Sequence, residues 1–143
     1  MEKLLKKSPL AARTLLGLTF LVFGLNGFLQ FLPMPEHSAE AGVFLAGLST
    51  GAYFFPLLKI TEIAAGILLL SNRWVPLALI LLAPIMVNIV AFHLFLEPGG
   101  MPMAALLTAL QLYLAWVYRA SYQTVLEARV APETARAAVK ATA

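Results

Sequence analysis

The chain has 143 residues, of which 61% are hydrophobic and 12% charged, with a formal net charge of +3. A soluble domain of this length cannot hide that much apolar surface, whereas a helical membrane protein uses lipid as its solvent. The chain has no cysteine, which excludes disulfides, thiol redox chemistry, cysteine-ligated zinc and iron–sulfur clusters built from this chain alone. In a membrane chain the distribution of that net charge across the bilayer matters more than its sum, and no nucleic-acid partner is expected.

Residues 1–13 are short and basic, with Lys3, Lys6, Lys7 and Arg13. An apolar run from Thr14 to Leu32 follows, ended by Pro33 and Pro35. It is longer than the usual ~7–15 residue core of a signal peptide and lacks a small-residue cleavage site, so it reads as a first membrane span. Residues 33–52 contain no Lys or Arg but hold Glu36, His37 and Glu40, with His37 expected to be solvated. Val43 to Leu48 is apolar but too short to span, and is expected to form an interfacial or re-entrant helix.

The second span covers about 53–70 and the third about 74–96, separated by the turn Ser71–Asn72–Arg73. The fourth covers about 101–118, after the turn Glu97–Pro98–Gly99–Gly100. Pro84 lies inside the third span, where it should kink the helix and free the carbonyl of Ile80. A helix on the surface is expected from Tyr122 to Val130, within a polar tail over 121–143.

Every Lys and Arg except Lys59 falls in the N-terminus, the Arg73 turn or the region after the fourth span. The positive-inside rule then puts both termini in the cytoplasm and gives four crossings, with Trp74, Trp116, Tyr118 and Tyr122 at the cytoplasmic boundary. The expected architecture is an all-α membrane four-helix bundle over 14–120, in a bacterial-type inner membrane, with the lipid bilayer as its first partner.

The polar residues inside the spans carry the functional expectation. Lys59 and Glu62 are i, i+3 on one helix face and can pair directly. Intramembrane charges are costly, and mark functional sites when they face a helix-lined interior. Asn26, Gln30, Asn88, His93, Thr108 and Gln111 all fall within about ten residues of the outer ends of their spans, roughly 15 Å of helix. The inner half is almost entirely Leu, Ile, Ala and Val. Lys59, Glu62, Asn88 and His93 are therefore expected to line a polar pocket as ligand-binding or proton-relay groups. Asn26, Gln30, Thr108 and Gln111 are expected to support it, first of all as glue between helices. The glycines Gly17, Gly24, Gly27 and Gly66 read as close helix contacts. No metal site is expected.

GLTFLVFGLNGF (Gly17 to Phe28), the Lys59, Glu62, Gly66 pattern and APIMVNIVAFHLFLEP (Ala83 to Pro98) resemble the DoxX-like family of small four-helix membrane proteins, over about residues 13–120. The resemblance implies an accessory subunit of a membrane redox system, with no intrinsic cofactor and a quinone or small metabolite as ligand. Such a subunit takes electrons from a soluble or membrane partner protein. Two other readings stand beside it. One is a small-solute or proton transporter, which with so few helices requires a homo-oligomer. The other is a membrane scaffold whose polar residues only fix helix register.

Overall fold

The computed structural model describes residues 2–33 and 36–127. Its helices are α1 (Glu2–Leu29), α2 (Ala39–Thr50), α3 (Phe54–Leu70), α4 (Val75–Phe95), α5 (Met101–Val117) and the short α6 (Gln123–Leu126), with single 3-10 turns at Pro98–Gly100 and Arg119–Tyr122. There is no strand among the described residues.

Three segments are long and apolar enough to cross a membrane: Ser8–Leu29, Val75–Phe95 and Pro98–Val117. A fourth crossing depends on α2 and α3, which pass the same test only together and meet at a 92° bend. The expected short helix between the first two spans is thus present, and longer than the Val43–Leu48 core of its sequence. Ser38 starts it: its Oγ accepts from Ala41 N at 3.2 Å and caps a first-turn donor that would otherwise be orphaned. Gly51 ends it in an extended backbone (φ −69°, ψ 103°), which sets the break before α3.

The basic N-terminal segment runs on helically into the first span, since α1 is helical from Glu2 onward. It also stops at Leu29, three residues before Leu32 and ahead of the prolines. Gln30 adopts a left-handed backbone (φ 50°), and the Asn26 side chain accepts from Leu32 N at 2.7 Å. An amide side chain has replaced the helix ladder there. α4 runs through Pro84 as one helix. Of the helix expected over Tyr122–Val130, the structure describes the Gln123–Leu126 turn, and the remainder lies outside the described residues.

α1 packs on α3 and α5, α3 on α4, and α4 on α5. Leu16, Leu69, Leu82 and Leu114, one from each of these helices, are fully buried and belong to one hydrophobic core cluster. α1 and α3 approach most closely, along a seam of glycines. A Cβ on Gly66 would stand 2.8 Å from Leu21 N and 2.9 Å from Gly17 O, so backbone meets backbone there. Outward faces carry large apolar side chains such as Leu18, Ile60, Ile67, Leu77 and Leu112, as a lipid-facing surface requires.

Polar contacts fasten both ends. At the end holding the α3–α4 turn, Ser8 and Tyr113 share a 2.6 Å hydrogen bond, Arg13 donates to Asn72 Oδ1, and Tyr122 Oη donates to Pro76 O at 3.2 Å. At the end capped by α2, Ser38 N donates to Glu97 Oε2 and Ser38 Oγ donates to Leu96 O, each at 2.9 Å. His37 is drawn in with them. It is half-buried, edge-on to Phe92 at 6.4 Å, with Nδ1 3.6 Å from Glu97 Oε2 and neither ring nitrogen open to solvent or hydrogen-bonded among the described residues. The expectation of a solvated His37 is corrected by this clasp between the α1–α2 loop and the α4–α5 turn.

Gln111 acts as the glue expected of it. Its Nε2 donates across to Leu79 O on α4 at 3.1 Å. Replacing it with leucine is expected to cost about 0.6 kcal/mol, the average for such bonds between membrane helices, as measured by unfolding in mixed micelles.

Candidate functional site

The buried stripe of α3 is Glu62, Ala65, Gly66 and Leu69, spaced i, i+3, i+4, i+7. Glu62 therefore occupies a core position, and its side chain is 6% exposed. Lys59 lies one turn towards the α2 end on the same face, and its Nζ donates to Glu62 Oε2 at 2.8 Å. The lysine stem runs across α1 at a glycine. A Cβ on Gly27 would stand 2.6 Å from its Cγ and Cδ. Gly24 does the same for Glu62, whose Cβ lies 3.2 Å from where an alanine methyl would be. The glycines that bring α1 onto α3 thus also make room for the ion pair.

Lys59 and Glu62 open onto a half-open pocket of about 220 Å³ between the helices. All four packed helices line it: Thr19, Phe20 and Phe23 from α1, His93 and Ile89 from α4, and Met103, Ala104 and Leu107 from α5.

His93 is fixed by the α4–α5 turn. Its Nδ1 is 3.0 Å from Glu97 O. A carbonyl can only accept, so Nδ1 carries the proton and donates. In the neutral ring Nε2 is then an acceptor, and it has no partner among the described residues. The Cε1 edge of the ring abuts Gly100, where a Cβ would stand 2.1 Å from Cε1. Gly100 has an ordinary helical backbone (φ −87°) that alanine can adopt. Gly100→Ala should therefore keep the turn but drive the imidazole out of place. The expected result is a changed His93 side-chain NMR signal, with little loss of stability.

The other expected site residues are dispersed. Asn88 is exposed, donates to Pro84 O of its own helix at 3.3 Å, and lines a separate apolar groove under α2 with Phe44, Leu57 and Leu81. It does not meet Lys59, Glu62 or His93, because it lies five residues before His93 and so on another face of α4. Thr108 donates to Ala104 O of its own helix at 2.7 Å. With Gln111 it lines a shallow depression between α4 and α5, away from the ion pair. Asn26 and Gln30 line a larger cavity next to the first, which also contains Lys59.

Thr19, Phe23 and Gly100 were not singled out as site residues in the sequence. Thr19 had a signal: it is an isolated hydroxyl in an apolar helix, seven residues before Asn26. Gly100 had none, since a glycine in a Pro-Gly-Gly turn is explained by the turn itself.

The arrangement offers an ammonium, a carboxylate paired to it and an imidazole acceptor, around a space for one ring-sized molecule. No group of His, Asp or Glu side chains among the described residues is arranged to hold a metal ion. No family model, curated protein or solved structure matches the chain.

Proposed function

We propose that this is a DoxX-like integral membrane protein that binds a quinone ring, or a small metabolite of that size, as an accessory subunit of a membrane redox system. The observation that carries the reading is the 220 Å³ cavity bordered by the Lys59–Glu62 pair and His93. A dry cavity of about 150 Å³ accepts benzene, so this one has room for a substituted six-membered ring. A quinone presents carbonyl oxygens when oxidised and hydroxyls when reduced. The Lys59 ammonium suits the carbonyl. His93 Nε2 suits the hydroxyl, and once protonated it donates to the carbonyl in turn. Glu62 gives a second proton-exchanging group beside the ring.

With no cysteine in the chain, electrons would reach the ring from a partner protein. The fold fits a four-helix membrane bundle whose fourth crossing is α3 with α2 lying across its end. The absence of Lys and Arg from 30–53 and 96–101 supports an extracytoplasmic α2 end, cytoplasmic termini and a bacterial-type inner membrane.

The test is native mass spectrometry of gently solubilised protein supplied with decylubiquinone, comparing wild type with Glu62→Gln and His93→Ala. One quinone per chain is expected in the wild type and none in the variants. A wild type that retains none, with all three proteins equally stable, would leave the polar groups a structural role only.

A further inference from the structure

A second cavity, of about 710 Å³, lies beneath α2 and beside the first. Phe23 and Lys59 belong to the walls of both. The polar wall of this vestibule is Asn26, Gln30 and Ser49, and among the described residues Lys59 is the one charged residue lining it, with no carboxylate beside it. Glu62 lines the inner cavity only. The pair thus straddles the partition, with Lys59 reaching both spaces and Glu62 the inner one only.

The ammonium is underused. Among the described residues it donates to one acceptor, Glu62 Oε2 at 2.8 Å, and rests over the Phe55 ring at 5.5 Å. An ammonium has three protons to donate. It is held in place by its stem across Gly27, where only a glycine leaves room. Gln30 adds an amide on the same wall. Its left-handed backbone (φ 50°) is a conformation for which glycine is the usual choice at a helix end. A fixed cation with unused protons, set in an apolar partition, favours an anionic group more strongly than an exposed lysine would.

We propose that the vestibule under α2 binds a small oxyanion, a carboxylate or phosphate group, held by Lys59 Nζ with the Gln30 amide beside it. Lys59 keeps its bond to Glu62 and presents its remaining protons to the anion. The proposal stands on the vestibule's own walls and does not depend on a ring in the inner cavity.

The chain's lack of cysteine makes the test direct, since Ser49→Cys places a single thiol in the vestibule wall. In phosphatidylcholine nanodiscs, its labelling by an uncharged maleimide is followed as acetate or inorganic phosphate is raised at constant ionic strength. Occupancy should slow labelling by 1 + [L]/Kd, roughly tenfold at ten times Kd. The slowing should persist with Lys59→Arg and vanish with Lys59→Met/Glu62→Leu, a background that leaves no unpaired carboxylate in the core. A second arm replaces part of the phosphatidylcholine with phosphatidylglycerol and omits free anion. Slowing there assigns the site to a lipid headgroup, and slowing by dissolved anion alone assigns it to a water-borne ligand. Labelling that no anion slows, or that is slowed equally in the double variant, would overturn the proposal. Neither outcome bears on quinone retention, which is read from other variants.

Discussion

Lys59→Met alone is expected to destabilise the protein by about 3–5 kcal/mol, while Lys59→Met/Glu62→Leu should be close to wild type or more stable. The asymmetry follows from burial. Glu62 sits on the core stripe of α3 with its side chain 6% exposed, and its hydrogen bond to Lys59 Nζ is 2.8 Å. Removing the lysine leaves a carboxylate among Phe20, Phe23 and Leu107 without its cation. Removing both replaces an ion pair by apolar groups of similar volume, which costs little because neither charge then has to be desolvated. Equilibrium unfolding in mixed micelles gives all three values. If the single and double variants are equally unstable, the pair is a net stabilising element. Its persistence in an apolar core would then call for no ligand. A stable double variant that has lost ligand means the pair is kept for binding, at a cost in stability.

The second large effect concerns the α1–α3 seam. Gly66→Ala is expected to cost about 1–3 kcal/mol, the range for overpacking a tight interface. The neighbours of the added methyl are Leu21 N at 2.8 Å and Gly17 O at 2.9 Å, and backbone atoms cannot swing aside as a side-chain end can. The helices must separate, which also loosens Gly24 and Gly27 from Glu62 and Lys59. Gly42→Ala and Gly47→Ala in α2 are the controls. A Cβ at either meets nothing within 4 Å, so they should be neutral or stabilising by up to about 1 kcal/mol through helix propensity. Equal effects at Gly66 and Gly42, measured by the same unfolding assay, would rule out the seam as the cause.

The seam explains why the site was partly legible in the sequence. Lys59 and Glu62 announce themselves, because charges three residues apart in an apolar run have a cost that only an interior partner or a function offsets. Their pairing needs one helix alone, and so spacing is enough to foresee it. His93 is less determined. Its presence near the end of a span is visible, but its tautomer depends on the Glu97 carbonyl and its place on Gly100, both set by the α4–α5 turn. Asn88 shows the limit of reasoning by depth. It lies at the right level along α4 yet faces the groove under α2, because depth fixes a position along a helix but not the angle around it. For Thr108 and Gln111 the same ambiguity places them between α4 and α5 rather than on the cavity.

By itself, the sequence determined the all-helical membrane character, the turns at Arg73 and at Pro98–Gly100, the short helix after the first span, and the Lys59–Glu62 pair. Each of these rests on local properties: run length, hydropathy, turn chemistry and spacing on one helix. Tertiary structure decided the rest. The packing of α1 on α3 through Gly17, Gly24 and Gly66 chose which polar groups share a wall. The 92° break between α2 and α3 made the vestibule. The bonds from Ser38 to Leu96 and Glu97 turned His37 from a loop residue into part of a buried clasp. These outcomes depend on the rotation of each helix about its own axis and on contacts between residues far apart in the chain. A nearly uniform apolar sequence encodes neither locally, because lipid accepts any apolar face and leaves the choice to close packing.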